Sequence, residues 1–490
     1  MSGAGINALI VVVYFGLTIW IGRRFAGPQG SLDDYLLAGR NMPWWAAAFS
    51  IVATETSTLT FIGLPGIAYG GDLTFLQVAL GYVAGRLLVA AILVPGYFSG
   101  RFNTAYELLH RRFGGNAQTT ASLIFVVNRV LADGVRLFAT ALVLVQLLPL
   151  GMPRQLRLLL GIGLIIGVTL YYTLRGGLRA VIWNDVVQQF IYLGGAALAA
   201  VILLQRIPGG WPAAAAQLSA AGKLTWLDFS FDLSVPYTFL GGLIGGAVLT
   251  AATHGTDQMF VQRLLATGSP RAARRAVVAS GVIVFAQIGF FLWIGTLLYA
   301  FYRAQPPVVA FTADDQVFPR FIAEQLPIGL AGLVIAAVFA AAMSTLSSSL
   351  SALASVSTMD LWGRWRGLDA AQSLRASHRF TAAWAAGLAV IAFMAQAWGS
   401  VLVAGLTITS ITFGAVLGIF VVGQTRWPVS ANQASAAMLA GVVALVAVHL
   451  VGGLAWTWYT LLGALVTIAC AGVAALLGGG RGPAGVETAS

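Results

Sequence analysis

Charge is scarce in this chain: only 9% of its 490 residues are Asp, Glu, Lys or Arg, and a single cysteine, Cys470, stands alone. One thiol excludes a disulfide framework and a thiolate metal cluster within the chain. No Gly-x-x-x-x-Gly-Lys-Ser/Thr run is present, so an ATP-driven pump has no phosphate-binding loop. His254 and His449 lack metal-ligand spacing, and no serine has a companion His and Asp arranged for acyl transfer, which disfavours an enzyme. The net charge of +11 does not gather into a basic stripe with interleaved aromatics, so no nucleic-acid partner is expected. No organic cofactor is implied.

Apolar residues are what the chain has in excess. They make up 59% of it, and the mean hydropathy of +0.86 lies outside the range of soluble domains. The expected fold class is an all-α polytopic membrane protein. Runs long enough to cross a bilayer cover 4–22, 44–69, 73–99, 119–150, 156–174, 181–205, 236–262, 275–302, 327–359, 379–398, 401–423, 434–452 and 455–478, thirteen in all. The first run has no basic residues ahead of it and is followed by Arg23 and Arg24, the reverse of a secretory signal. It reads as a retained span with its N-terminus outside. From that start, eighteen of the 27 basic residues, Arg263 among them, fall in inward loops and six in outward loops, with Arg86, Arg129 and Arg136 inside spans. The asymmetry predicts a cytoplasmic C-terminus and residence in the cytoplasmic (inner) membrane.

The whole of 1–490 reads as one transmembrane domain: an extra N-terminal helix at 4–22, five spans over 44–205, five more over 236–423, and two C-terminal helices over 434–478. The first span of each five is rich in Gly and hydroxyls, and because five is odd the two sets run in opposite senses across the bilayer. Inverted repeats with interrupted helices point to a secondary-transporter site at the midplane. Thr54, Glu55, Thr56, Ser57 and Thr58 are consecutive, so they sweep more than a full turn and cannot share one face of a regular helix. The prediction is an unwound segment that exposes carbonyls such as those of Ala53 and Thr56, loosened further by Gly63-Leu64-Pro65-Gly66.

Two other patterns carry chemistry. Ser344, Ser347, Ser348, Ser351, Ser355 and Thr358 fall on one face of a helix that has neither Gly nor Pro from Ala340 to Asp360. That face meets another helix, a wet cavity or a hard cation that takes oxygen ligands. Charges inside spans cost about 2.5–3.5 kcal/mol each on insertion scales, so Glu55, Asp133, Asp185 and Asp257 each need a partner or a function. Asp185 lies about 9 Å into its span, either as a solvated helix-end residue or as a carboxylate that helps sodium leave. Asp257 reads as structural, beside Arg263. Arg129, Asp133 and Arg136 share a face, and one carboxylate cannot neutralise two guanidiniums. Arg136 therefore either holds a substrate carboxylate or pairs with Glu55 or Asp185 on a neighbouring helix. Arg86 reads as a packing or interface residue.

Four motifs in order, Asp34-Tyr35-Leu36-Leu37-Ala38-Gly39-Arg40, Glu55-Thr56-Ser57 through Pro65-Gly66, Gly176-Gly177-Leu178-Arg179 through Asp185, and Ala341-Ala342-Met343-Ser344-Thr345-Leu346-Ser347-Ser348, resemble the sodium:solute symporter family. The resemblance implies a LeuT-type fold of two inverted five-helix repeats within about 13 helices, and sodium-driven import of a small solute. It implies one sodium among the carbonyls of Ala53, Thr56 and Ala341 and the hydroxyls of Ser344 and Thr345. A second sodium, or an exit path for the first, would use Asp185, Ser347 and Ser348 with Ser344. Substrate contacts would come from Thr56, Thr58, Gln77, Arg136, Thr250 and Thr253, with Arg136 suited to a carboxylate. The partners expected are solute, sodium ions and lipid around a monomer. A sodium-independent facilitator or channel and a sodium-responsive sensor are the alternatives.

Overall fold

The computed structural model describes residues 3–27, 29–145, 151–307, 309–395 and 401–477, in which every regular element is helical. Arg481 and the ends of the predicted spans at 150, 398 and 478 lie outside the described residues. The main elements are α1 (Gly3–Arg24), α2 (Trp44–Glu55), α3 (Thr58–Gly70), α4 (Leu76–Leu88), α5 (Gly115–Val145), α6 (Arg154–Arg206) and α7 (Gly246–Thr256). After them come α8 (Gln258–Leu265), α9 (Pro270–Ala304), α10 (Leu330–Val356), α11 (Ala370–Met394), α12 (Val401–Gly423), α13 (Ala431–Val451) and α14 (Tyr459–Leu477). Each predicted span coincides with one of these, with half of α6, or with a pair. Among the described residues, seven helices are long and apolar enough to cross a membrane unaided, and α2 with α3 makes an eighth as a bent pair.

The 53 residues of α6 are two predicted spans joined through Gly177, whose φ of 55° and ψ of −158° admit glycine and little else. A side chain there would also meet the Tyr35 carbonyl at 2.6 Å. Tyr172 and Asn184, on either side of this turn, both reach Gly22 of α1, so the chain doubles back at Gly177.

The two interrupted helices occupy equivalent places at the head of each set of five. Helix α2 stops at Glu55, Thr56 and Ser57 are extended (ψ 104° and 173°), and α3 leaves at a bend of 62°. Ser57 restarts the helix through a capping box with Thr60. In the second set α7 ends at Thr256, Asp257 is extended (ψ 122°), and its carboxylate accepts from Met259 N at 2.8 Å to start α8. A polar residue that satisfies the orphan amides of the second half makes each break tolerable inside a bundle.

Helix α10, almost wholly buried, packs along α6 and against α1, α5 and α11. Helix α4 touches α7 and the π-helical turn that precedes it (Gly241–Gly245) backbone to backbone, through Gly81 and Gly85 on one side and Gly242 and Gly246 on the other. A Cβ on Gly246 would lie 2.6 Å from the Val78 carbonyl, and one on Gly242 would lie 2.8 Å from Gln77 C. That contact brings the second break against the helix that follows the first. Arg263, assigned by sequence to an inward loop, is instead fully buried within α8, because α8 runs on into the bundle past the break.

Candidate functional site

The hydroxyl face of α10 meets the end of α2 beside the break. Ser344 Oγ donates to the carbonyls of Ala53 (2.8 Å) and Ala341 (2.9 Å), and Thr345 Oγ1 donates to those of Thr54 (3.1 Å) and Ala341 (3.2 Å). Three carbonyl and two hydroxyl oxygens thus converge from two helices without a carboxylate, a donor set that suits a hard monovalent cation. Ala53, Ala341, Ser344 and Thr345 are brought together as sequence suggests. The Thr56 hydroxyl donates to Val52 O (2.7 Å) and accepts from Gln287 Nε2 (2.7 Å). Thr54 and Gln287 were not anticipated; the run of hydroxyls through the break was a signal for Thr54, while Gln287 had none.

One turn further along α10, Arg263 links Asp185 to Ser348 of the predicted second set. Asp185 Oδ2 accepts from Ser50 Oγ (2.5 Å) and from Arg263 Nη2 (3.0 Å), and the same guanidinium donates to Ser348 Oγ and Met259 O (2.6 Å). Ser347 and Ser348 both donate to Ser344 O, at 3.1 and 2.6 Å. Asp185, Ser347 and Ser348 are therefore contiguous with the first oxygen set, with the buried guanidinium of Arg263 among them. Below them Ser351 accepts from Gln262 Nε2 (3.1 Å) and Ser355 from Gln258 Nε2 (3.2 Å). The lower half of the hydroxyl stripe is thus a polar seam that holds α8 shut against α10.

A cavity of about 1060 Å³, its open mouth included, adjoins the break. Leu64, Ile67, Phe75, Leu249, Phe260, Val284 and Ile288 give it apolar surface, Thr56, Arg136, Thr250 and Thr253 of the predicted substrate set line it, and Glu55, Thr60, Tyr82, Arg129 and His254 add further polar groups. The other two lie elsewhere. Thr58 faces a small neighbouring cavity and bonds Thr140 at 2.8 Å. Gln77 spends its amide on Tyr237 O (2.6 Å), Thr74 O (3.3 Å) and Asp228 N (3.1 Å), clamping the 228–237 loop over the end of α4.

The mid-span charges pair across helices. Arg136 Nη1 donates to Asp133 Oδ1 at 2.8 Å, and Arg129 Nη2 lies 3.2 Å from Asp257 Oδ2. Asp257 is therefore the partner of Arg129 and not of Arg263, because the break directs its carboxylate toward α5. Glu55 pairs with Arg86, and His254 Nε2 lies 3.5 Å from the same carboxylate oxygen. Arg86, read from sequence as packing or interface, is a buried counter-ion; its mid-span place already required a partner.

At the Arg-rich end of the bundle, Asp33 receives Arg101 Nη2 (2.6 Å) and Arg40 Nε (3.3 Å), and Arg40 also donates to Phe102 O and Asn103 Oδ1, both at 2.8 Å. Partial burial pushes the Asp33 carboxyl up, but the hydrogen bonds and charges of Arg101 and Arg40 outweigh it and hold it below the usual carboxylate value. At the opposite end Lys223 Nζ donates to the last carbonyls of α3, Tyr69 O (2.7 Å) and Gly70 O (3.1 Å), and to Gly71 O (2.6 Å). Burial draws the Lys223 ammonium below its ordinary value.

The profile of the sodium:solute symporter family matches residues 35–441. The sodium/sialic acid symporter NanT of Aliivibrio fischeri is 28% identical over 475 residues, covering 94% of this chain and 91% of that protein. The sodium/sialic acid symporter SiaT of Proteus mirabilis is 31% identical over 371 residues, covering 73% and 71%. Among solved structures, a Na+-coupled sialic acid symporter in a substrate-bound outward-open state superposes with a TM-score of 0.87 at 26% identity, covering 96% of this chain and 98% of that one.

Proposed function

Because the chain belongs to the sodium:solute symporter family, adopts its LeuT-type fold and is a sodium-coupled symporter, we propose that its solute is a carboxylate with a largely apolar body, bound to Arg136. The observation that carries this is the guanidinium of Arg136. It keeps 18% of its side chain exposed while lining the cavity, and gives Asp133 a single bond of 2.8 Å. A planar fork left open toward an apolar chamber is suited to a carboxylate. The names of NanT and SiaT favour a second reading, a sialic acid, which is also a carboxylate and whose hydroxyls could meet Thr60, Tyr82, Thr250 and Thr253 of the lining.

The coupling ion sits among Ala53, Thr54, Thr56, Ala341, Ser344 and Thr345, joining the α2 break to α10. Asp185, Ser347 and Ser348 take sodium onward, or a second ion, once Arg263 withdraws. Repeats over 44–205 and 236–423 rock against each other around this place. The protein works as a monomer in the cytoplasmic membrane with its N-terminus outside and C-terminus inside, so Ile67 and Phe75 lie on the outward side of the cavity and the seam of Gln258 and Gln262 closes the inner side. Sodium entry then gains about 2.3 kcal/mol per charge per 100 mV of membrane potential.

A ligand-stabilisation screen of the purified protein in sodium, and in choline, tests the reading. Carboxylates are expected to raise the unfolding midpoint in sodium only, and Arg136→Gln to abolish the rise. Stabilisation by neutral solutes that survives Arg136→Gln would discard it.

A further inference from the structure

Arg136 is not the only charge on the cavity wall. Glu55, the last residue of α2, lines the same chamber and keeps 20% of its side chain exposed, although Arg86 is fully buried behind it. The contacts from Arg86 and from His254 both fall on Oε2. His254 is itself engaged, through Nε2 with Arg86 (2.8 Å) and through Nδ1 with Thr253 Oγ1 (3.0 Å). His254 also lines the chamber, and Glu55 Oε1 has no hydrogen-bond partner among the described residues. Arg136, on α5, adjoins Ser57 and Thr58 in the small neighbouring cavity. The two charges therefore flank the same two-residue break, negative on the α2 side and positive on the α5 side, on a chamber that also carries the apolar side chains of Leu64, Leu249, Val284 and Ile288.

We propose that Glu55 is a specificity-determining residue that binds a protonated amine of the substrate, so that the transported solute is an apolar zwitterion of the amino-acid class. The inference rests on the assignment of the solute's carboxylate to Arg136. A solute that fills the chamber displaces the water from whatever lines it, and although Arg86 holds Glu55 Oε2, a carboxylate oxygen such as Oε1 left there without a donor is disfavoured. A plain monocarboxylate satisfies Arg136 and leaves Glu55 facing its hydrocarbon. An ammonium group answers Glu55 with N–H donors while the carboxylate end answers Arg136. The buried charges around the chamber are already matched, Glu55 with Arg86, Asp133 with Arg136 and Asp257 with Arg129, so a zwitterion enters without adding net charge.

Three probes of one carbon skeleton test this on the purified full chain in sodium, by ligand-dependent shift of the unfolding midpoint: leucine, 4-methylpentanoate, which lacks the amine, and 3-methylbutylamine, which lacks the carboxylate. Leucine is expected to bind at least about tenfold more tightly than 4-methylpentanoate, and the amine not at all. Glu55→Gln should shrink the tenfold gap to less than about threefold, with 4-methylpentanoate binding retained, and Glu55→Asp should keep most of it. Should Glu55→Gln fail to fold through loss of its hold on Arg86, the comparison on the native chain still decides. Binding of 4-methylpentanoate as tight as that of leucine, or binding of none of the three, overturns the proposal. An amine that binds as well as leucine, or leucine binding indifferent to Arg136→Gln, instead overturns the carboxylate assignment beneath it.

Discussion

Replacing Ser344 by Ala removes one hydroxyl, and the geometry fixes what that should cost. Ser344 Oγ ties Ala53 O and Ala341 O at 2.8 and 2.9 Å, a neutral link between α2 and α10 with a net worth of about 0.5–1.5 kcal/mol. With sodium present the same oxygen turns a lone pair to a cation, an interaction in the charge-assisted range of about 1.5–3 kcal/mol. The difference, about 1–2 kcal/mol, is what sodium affinity loses, so half-saturation should need about 5- to 30-fold more sodium. The unfolding midpoint is followed against sodium concentration, with choline holding the ionic strength constant, and the same series is run for sodium-driven uptake. Ser355→Ala is the control, a buried hydroxyl of the same helix that faces Gln258 at 3.2 Å. An unchanged sodium dependence in Ser344→Ala, or an equal shift in Ser355→Ala, would refute the site.

Two further outcomes follow from packing and from charge. Gly85→Ala places a methyl 2.9 Å from Thr250 Cβ and against the Ala247 carbonyl, an overpacking of about 1–3 kcal/mol. It should lower the unfolding midpoint and the monodisperse yield, whereas Gly194→Ala, with nothing within 4 Å of its new methyl, should change neither; equal behaviour of the two would sink the account of the α4–α7 contact. The Asp33 carboxyl is held below its ordinary value by Arg101 and Arg40, so its stabilisation is complete above the unfolded-state value and is lost as pH falls through the folded one. Between about pH 7 and about pH 3 the midpoint of the native protein should fall more steeply than that of Asp33→Asn; superimposable curves would show that the pair contributes nothing.

Much of the architecture was legible because membrane insertion writes itself into one dimension. Each predicted span has its helix, since a bilayer demands about 20 apolar residues per crossing whatever the neighbours are. The break at Thr56 and Ser57 was legible for a related reason: five consecutive polar residues cannot all face inward on a helix. The stripe on α10 was legible as a face, with no means of knowing what it faced. The structure divides it between the oxygen set at Ser344 and Thr345 and the seam of Ser351 and Ser355 with Gln262 and Gln258.

Pairing was not legible. Arg136 could be drawn to Asp133, Glu55 or Asp185 from sequence alone, and Asp257 was matched with Arg263 because they are near in the chain. In the fold Asp257 lies on Arg129 and Arg263 on Asp185, and Gln77, polar and near the break, serves the 228–237 loop.

The sequence by itself determined a polytopic helical protein, its spans, its interrupted helix and the family whose motifs it carries, because hydropathy, periodicity and local polarity are properties of short stretches. Only the tertiary structure decided which charges neutralise one another, and that Glu55 and Arg136 stand on one apolar chamber. Those choices depend on which helix faces meet, and close glycine contacts such as Gly81 and Gly85 on Gly242 and Gly246 set that at a distance in the chain no local pattern records.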